Sequence, residues 1–377
     1  MFCDTKQEII LYLCVIEIKK GFMRRLLMAV CLLAATIGMA DAQTARKQVV
    51  ENGGTGLYKA EVVEDLSCPM LTMYRPQNLK DVVAKIGKLP VIVYANGGCA
   101  NNNVQMRYLL SEVASHGYVA AAIGPYDEAD VLAEWKNVLT FMYPKTKPSV
   151  VLANGETVKP MSAEEEKAFR AQLEARIAKE RAEAEKQAKK GKKNQRAAQP
   201  VQQTYPKMLL EMLDWLTDQN ADPQSDYYHC LDLDHVAAMG QSCGGAQVLG
   251  VAHDPRIKTC VMLNSGIADM EMQGTTKEAL NSLHQPMFYL IGGSDDVAFP
   301  NAQMDFDNIK NVPVVMMNTL DGHSGTYYEK NGGSYGVAVL KWLDWQFKGD
   351  VSQAAFFLDD DYLKYKYPDW KVVRKNF

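Results

Sequence analysis

The feature that most constrains this chain is a short glycine-rich stretch around Ser242. It reads Met239-Gly240-Gln241-Ser242-Cys243-Gly244-Gly245 and matches the pattern G-x-S-x-G. The mainly apolar residues 235–238 before it favour a buried strand, and residues 244–249 after it favour the start of a helix. Between a strand and a helix, this pattern places a serine on a sharp turn with its hydroxyl exposed. Glycine is needed at both ends of the pattern because a Cβ atom there would clash across the turn. A glycine-rich turn without chemistry is the simpler alternative.

Buried strands and amphipathic helices alternate along the chain, which indicates an α/β fold with a mostly parallel sheet. Residues 89–95 and 118–124 are nearly continuous apolar runs, typical of strands that are covered on both faces. Apolar residues from Met106 to Val113 recur between them with helical spacing, and residues 57–75 favour the first strands. The later predicted elements are a helix at 208–216, strands at 235–239, 259–264, 286–292 and 312–318, and a closing helix at 335–347.

The sheet pattern is interrupted by a predicted insertion from residue 128 to about 203, which contains no buried-strand pattern. Residues 161–190 are rich in Glu, Ala, Lys and Arg, which are good helix formers. Ser162 and Glu165 have the spacing of an N-terminal capping box. The charges of residues 186–196 are all basic, so a partner-binding tail is one interpretation. A solvated helix with a flexible return loop is the preferred one.

The first 42 residues are predicted to be an N-terminal extension and a signal peptide. Met23-Arg24-Arg25 supplies a charged start, residues 26–40 an apolar core, and Ala40-Asp41-Ala42 a small-residue cleavage pattern. The apolar run is short for a membrane span, so an anchor is the less favoured alternative. We therefore expect residues 43–377 to form one exported domain, periplasmic or secreted, without a stable membrane span.

The composition is that of an ordinary globular protein, with 47% hydrophobic and 23% charged residues over 377 positions. The net charge of −4 gives no support for nucleic-acid binding. An odd number of cysteines in the expected mature chain leaves at least one free thiol, and the sequence leaves their pairing open. No C-x-x-C pair occurs, so a structural zinc site has little support. The five cysteines concerned are Cys68, Cys99, Cys230, Cys243 and Cys260.

A serine hydroxyl is a weak nucleophile and needs a base, which a third group must orient. In a site of this kind the acid and then the histidine follow the serine along the chain. Of the six histidines, only His323 follows the acid candidates and the last strands of the sheet, directly after the strand at 312–318. Asp295 and Asp296 both follow the preceding strand and remain candidates for the acid. Asp321 is disfavoured because it lies too close to the histidine in sequence to approach its ring.

Two backbone N–H groups are expected to form an oxyanion hole beside the serine. The residue after the nucleophile, Cys243, should supply one of them. The second should come from the loop after the strand at 89–95, where Asn96-Gly97-Gly98-Cys99 offers a backbone with few side chains. Gly98 is the preferred donor and Cys99 the next choice, while a simple glycine turn is the alternative.

From about residue 60 to 350, apart from the insertion, this layout resembles the α/β-hydrolase superfamily. It is similar to the branch of dienelactone hydrolases and polyester hydrolases. The resemblance implies an α/β-hydrolase fold with helices on both faces of the sheet. This chain departs from typical members of that branch by its long helical insertion after the fourth core strand. It implies cleavage of carboxylic esters through an acyl-enzyme without a metal. It also selects Asp296 as the acid, because Pro300 stands four positions later, as in the acid loop of that branch. The motifs that carry the resemblance are Asn96-Gly97-Gly98, Gly240–Gly245, Asp296–Pro300 and Gly322-His323.

We therefore predict a serine hydrolase in which Ser242 attacks an ester, His323 transfers the proton and Asp296 orients the histidine. The N–H groups of Gly98 and Cys243 would hold the oxyanion. No cofactor and no metal are implied, and the expected partner is a small-molecule or polymer-linked ester substrate. A serine peptidase or acyltransferase on the same fold is one alternative. A non-catalytic binding protein on a hydrolase scaffold is the other.

One further cluster of histidines and aspartates has the residue types of a metal site. It immediately precedes the strand before Ser242 and so lies at the amino end of that strand. Active sites of open α/β sheets lie at the carboxyl ends of the strands, so a metal site is disfavoured here. The cluster consists of His229, Asp232, Asp234 and His235.

Overall fold

The computed structural model of the protein describes residues 45–48, 53–126, 149–190 and 204–377. The main compact unit begins at Lys47 and ends at Phe377. The predicted signal peptide lies outside the described residues, as do residues 128–148 and 191–203 of the predicted insertion. Within the described ranges, no helix combines the length and the apolar character needed to cross a bilayer.

Strands and helices alternate through most of the described chain. The strands are β1 Ala45–Gln48, β2 Ala60–Asp65, β3 Leu71–Pro76, β4 Leu89–Ala95, β5 Val119–Ile123, β6 Val150–Val151, β7 Thr157–Val158, β8 Leu231–Gln241, β9 Ile257–Leu263, β10 Met287–Ile291, β11 Val314–Asn318 and β12 Lys371–Lys375. The α-helices are α1 Leu79–Ile86, α2 Arg107–Ser115, α3 Ala163–Lys190, α4 Lys207–Ala221, α5 Cys243–Val251, α6 Phe299–Asn308, α7 Gly333–Phe347, α8 Ala355–Leu358 and α9 Asp360–Lys366.

The main sheet is mostly parallel. From β2 onward its strands lie in the order β2-β3-β5-β4-β8-β9-β10-β11-β12. The pairs from β5 through β4, β8, β9 and β10 to β11 are parallel, whereas β2, β3 and β12 join antiparallel at the two sides. This architecture is consistent with the α/β-hydrolase fold, so the predicted fold class is confirmed.

β4 and β5 are apolar along their whole length because helices cover both faces of the sheet. Every residue of β4 and β5 is buried. Ile92 and Tyr94 point into a core shared with α2 and α7, and the alternate residues of β4 face the other side, where α4 packs. In that first core, Trp342 of α7 stacks on Phe288 of β10 with ring centroids 5.1 Å apart.

The insertion agrees with its prediction in one respect and differs in another. Ser162 and Glu165 form the expected capping box, in which the Ser162 N–H donates to Glu165 Oε2 at 2.8 Å, and α3 follows. The region also contains a short hairpin that the sequence did not predict. β6 and β7 pair antiparallel in a short hairpin whose Val158 is buried. Two-residue strands have too little periodicity to be recognised in a sequence.

Candidate active site

The turn between β8 and α5 presents Ser242 in a strained backbone conformation, with φ 52° and ψ −120°. Glycine on either side makes this turn possible. A Cβ atom on Gly240 would lie 2.3 Å from the carbonyl oxygen of Gly244. One on Gly244 would lie 2.1 Å from the carbonyl oxygen of Ala95, at the end of β4. The expected sharp turn is therefore present, and it brings Ser242 against the neighbouring strand's carboxyl end.

His323 lies on the loop after β11, and its ring reaches the serine. Its Nε2 atom is 3.0 Å from Ser242 Oγ, which is within hydrogen-bond distance. The side chain is largely buried, with 13% of its surface exposed. A neutral imidazole with its proton on Nδ1 can accept the hydroxyl proton in this geometry.

Asp296 lies on the other side of the same imidazole. Its Oδ1 atom is 2.6 Å from His323 Nδ1 and also accepts a hydrogen bond from the N–H of Ala298 at 2.9 Å. Burial disfavours the charged form, but the adjacent His323 and the N–H donor of Gly292 hold the pKa of Asp296 below its ordinary value. Asp295 is exposed. Of the two candidates for the acid, only Asp296 contacts the histidine.

Asn264, directly after β9, is a residue of this site that the sequence reasoning missed. Its side-chain amide donates to Asp296 Oδ2 at 2.7 Å and to the carbonyl oxygen of Gly322 at 3.0 Å. Its own carbonyl oxygen accepts a hydrogen bond from the hydroxyl of Tyr327. These contacts tie the acid to the loop that carries His323. A polar residue immediately after a buried strand, at the carboxyl edge of the sheet, is the signal that could have identified it.

The proposed oxyanion donors lie close to the serine on two separate segments. Cys243 begins α5, and Gly98 lies in a tight turn after β4 with φ 63° and ψ 9°. Neither N–H group donates a hydrogen bond to any described residue. A Cβ atom on Gly97 would lie 1.8 Å from Gln241 Oε1, so the side chain of Gln241 lies directly against the backbone of Gly97. Both N–H groups therefore remain available to a ligand.

A disulfide joins Cys99 to Cys243, across the two segments that carry these N–H groups. The sequence had left the pairing open. Of the described residues, the remaining cysteines Cys68, Cys230 and Cys260 are buried free thiols, which agrees with the prediction of at least one. Burial raises the pKa of the Cys260 thiol to about 12, so this thiol stays protonated at neutral pH.

A buried carboxyl group accepts hydrogen bonds from the turn that follows β9. Asp305 of α6 accepts hydrogen bonds from the N–H groups of Ile267 and Ala268, both at 2.8 Å. Burial raises the pKa of Asp305 to about 6, against the backbone donors that favour the carboxylate. Ala268 has a φ of 47°, an unfavourable value for alanine. Asp305 therefore stabilises a strained turn that follows Asn264.

The hairpin of the insertion packs beside the histidine loop. The N–H of Ala153 donates to the carbonyl oxygen of Tyr328 at 2.8 Å. The side chains of Leu152 and Val158 form a small apolar cluster with the same tyrosine. Since Tyr328 follows His323 closely in the chain, the hairpin adjoins one side of the site.

The other sequence-predicted cluster does not join the site. His235 Nδ1 is 2.7 Å from Asp232 Oδ2 at the amino end of β8. In the described part of the chain, no three His, Cys, Asp or Glu side chains are arranged to hold a metal ion. A polar cavity of about 300 Å³ surrounds Arg75, whose guanidinium bonds Glu61 at 2.9 Å and Asp226 at 3.0 Å. This cavity lies beside the amino end of β5, which pairs with the end of β3 that carries Arg75. Ser242 lies at the opposite edge of the sheet, where the parallel strands end.

The sequence model of one family, platelet-activating factor acetylhydrolase, isoform II, matches residues 61–318. The chain belongs to this family. The family consists of serine esterases with the α/β-hydrolase fold, so the predicted resemblance to the α/β-hydrolase superfamily is confirmed. The matched range includes Ser242 and Asp296 and ends shortly before His323. No curated protein matches the chain significantly.

Proposed function

We propose that this protein is an exported serine hydrolase that cleaves carboxylic esters through an acyl-enzyme. The observation that carries the proposal is the continuous contact path from Ser242 Oγ through the His323 ring to Asp296, with distances of 3.0 and 2.6 Å. Membership of a serine esterase family supports the same reaction class.

In the proposed reaction, Ser242 Oγ attacks the ester carbonyl carbon while His323 Nε2 takes the hydroxyl proton. The carboxylate of Asp296 keeps the other imidazole proton on Nδ1 and stabilises the imidazolium that forms. The N–H groups of Gly98 and Cys243 donate to the oxyanion. Collapse of the tetrahedral intermediate breaks the ester C–O bond, and His323 returns the proton to the leaving alcohol. A water molecule, activated by His323, then releases the acid from Ser242.

The family name describes hydrolysis of an acetyl group from platelet-activating factor. We extend only the short acyl group to this chain, which makes p-nitrophenyl acetate the first substrate to test. The proposal of export rests on the sequence pattern of residues 1–42. The disulfide between Cys99 and Cys243 supports it, because disulfides persist mainly in oxidising compartments.

The decisive experiment combines an ester assay with covalent labelling. Wild-type protein should hydrolyse p-nitrophenyl acetate and be labelled by a fluorophosphonate probe on Ser242, and Ser242→Ala should do neither. Faster turnover of peptide anilides than of esters would favour the peptidase alternative. Faster transfer to an added alcohol than to water would favour an acyltransferase. Absence of both turnover and labelling in folded wild-type protein would favour a non-catalytic binding protein.

A further inference from the structure

We propose that the disulfide between Cys99 and Cys243 is a positioning element of the oxyanion hole. In this proposal it keeps two backbone donors at a fixed separation and so supports turnover more than it supports the fold. The inference rests on the proposed serine-hydrolase function.

The placement of the two cysteines is the first observation. Cys99 follows Gly98, and Cys243 both follows Ser242 and carries one of the proposed donor N–H groups. The cysteines are 144 residues apart in the chain, yet their Cα atoms are 5.2 Å apart. The cross-link therefore joins the two segments at the positions where they supply hydrogen-bond donors. A disulfide that only stabilised the fold could join other neighbouring segments and would not need to lie beside the two donors.

The backbone beside the bridge gives the second observation. Gly98 and Cys99 are consecutive residues with φ values of 63° and 51°. Glycine adopts such values freely, but a cysteine keeps them only where its surroundings hold it. Because a change in either torsion angle would re-aim the N–H groups of this loop, whatever holds Cys99 also sets the direction of the donors.

Hydrogen bonds through Thr204 form a second, non-covalent connection between the same two segments. The carbonyl oxygen of Cys99 accepts a hydrogen bond from the N–H of Thr204 at 3.0 Å. The carbonyl oxygen of Thr204 in turn accepts one from Gln247 of α5 at 2.8 Å. Thr204 and Gln247 are both buried. This path should hold the two segments near each other after the disulfide opens, so we expect a loosened site in a folded domain.

One end of the bridge is not fully buried. Cys99 is buried, but Cys243 is half-buried beside the half-buried Ser242. Dithiothreitol supplies the two electrons and two protons that are needed. The S–S bond breaks, two cysteine thiols form, and the reagent is oxidised to its cyclic disulfide.

The test compares oxidised wild-type protein, reduced wild-type protein and the double variant Cys99→Ala/Cys243→Ala. Because both donors are backbone N–H groups, none of these changes removes a donor. Loss of one donor outright costs about 10²- to 10³-fold in kcat, so we expect a misaligned hole to lower kcat by about 10- to 100-fold. KM for p-nitrophenyl acetate should change by less than about twofold, since the oxyanion exists only in the transition state and intermediates. The rate of fluorophosphonate labelling should fall in parallel.

Three controls make the result specific. Cys230→Ala, at the amino end of β8, should behave as wild type, including the loss of activity on reduction. The double variant should not respond to dithiothreitol. Reoxidation of reduced wild-type protein should restore kcat.

Two results would overturn the inference. One is an unchanged kcat when alkylation and mass measurement show that the bridge is open. The other is a fall in kcat that only follows the unfolded fraction measured by circular dichroism, which would make the bridge a staple of the fold. Failure of the proposed function is a separate result. In that case even oxidised wild-type protein would show neither turnover nor labelling of Ser242.

Discussion

Replacing Asp296 by asparagine should lower kcat by about 10⁴-fold while the domain stays folded. Each of the two carboxylate oxygens of Asp296 takes part in two hydrogen bonds. Oδ1 lies 2.6 Å from His323 Nδ1 and 2.9 Å from the N–H of Ala298. Oδ2 accepts from the side-chain amide of Asn264 at 2.7 Å and from the N–H of Gly292 at 3.0 Å.

The asparagine can place its NH₂ group at either oxygen position, and the neighbours decide which. At the Oδ2 position it would face two donors, the N–H of Gly292 and the amide of Asn264, which Gly322 holds in its orientation. At the Oδ1 position only Ala298 loses its acceptor, because the imidazole of His323 can change tautomer and accept. Each unpaired buried donor costs about 1–3 kcal/mol, so the Oδ1 position is favoured by about that amount.

In that orientation His323 carries its proton on Nε2 and has no lone pair with which to take the proton of Ser242. A loss of about 10⁴-fold corresponds to about 5.4 kcal/mol in the activation free energy. The assay is steady-state hydrolysis of p-nitrophenyl acetate, with thermal unfolding as the measure of folding. Asp295→Asn is the matched control. Its side chain is exposed, so kcat should stay within about twofold of wild type.

A folded Asp296→Asn variant that keeps more than about a tenth of the wild-type kcat would refute the reasoning. A larger loss in Asp295→Asn than in Asp296→Asn would refute the choice of acid. Neither outcome would by itself remove Ser242 or His323 from the proposal.

Three further predictions concern other parts of the molecule. Ser242→Ala should lower ester turnover by several orders of magnitude with an unchanged melting temperature, and near wild-type activity would exclude the serine as nucleophile. Deletion of residues 178–200 should leave small-ester turnover close to normal, because these residues include no large apolar side chain that could pack on the domain; a large fall without unfolding would contradict this. Asp305 has a pKa of about 6, above its ordinary value. Its contribution to stability is therefore complete below pH 3.8 and is lost as the pH rises through 6. In denaturant titrations, wild-type protein should lose about 2 kcal/mol more than Asp305→Asn between pH 4 and 7, and equal losses would contradict the assignment.

Asp305 is also connected to the candidate active site through a short series of hydrogen bonds. Its carboxyl oxygens accept hydrogen bonds from the N–H groups of the strained turn at Ile267 and Ala268, just after Asn264. Asn264 in turn holds Asp296. Through these contacts, the packing of α6 behind β9 is connected to the orientation of the catalytic acid that we propose.

The sequence by itself determined the parts of the site that local physics controls. Residues 89–95 and 119–123 have to be strands buried on both faces, since every one of their side chains is apolar or small. The glycines around Ser242 have to form a sharp turn, and the order of Ser242, Asp296 and His323 along the chain follows from the fold that the resemblance implied. The spatial proximity of these three residues was therefore expected, and the structure brings them together.

Only the tertiary structure decided the contacts that depend on residues far apart in the chain. Cys99 and Cys243 could each have paired with three other cysteines in the expected mature chain, and it is the adjacency of β4 and β8 in the sheet that places them side by side. Asn264 has no motif of its own, and it became part of the site because β9 ends beside the loops of Asp296 and His323. A periodic pattern reports which face of an element is buried. It carries no information on which distant residue lies opposite, because strand order and register set that choice.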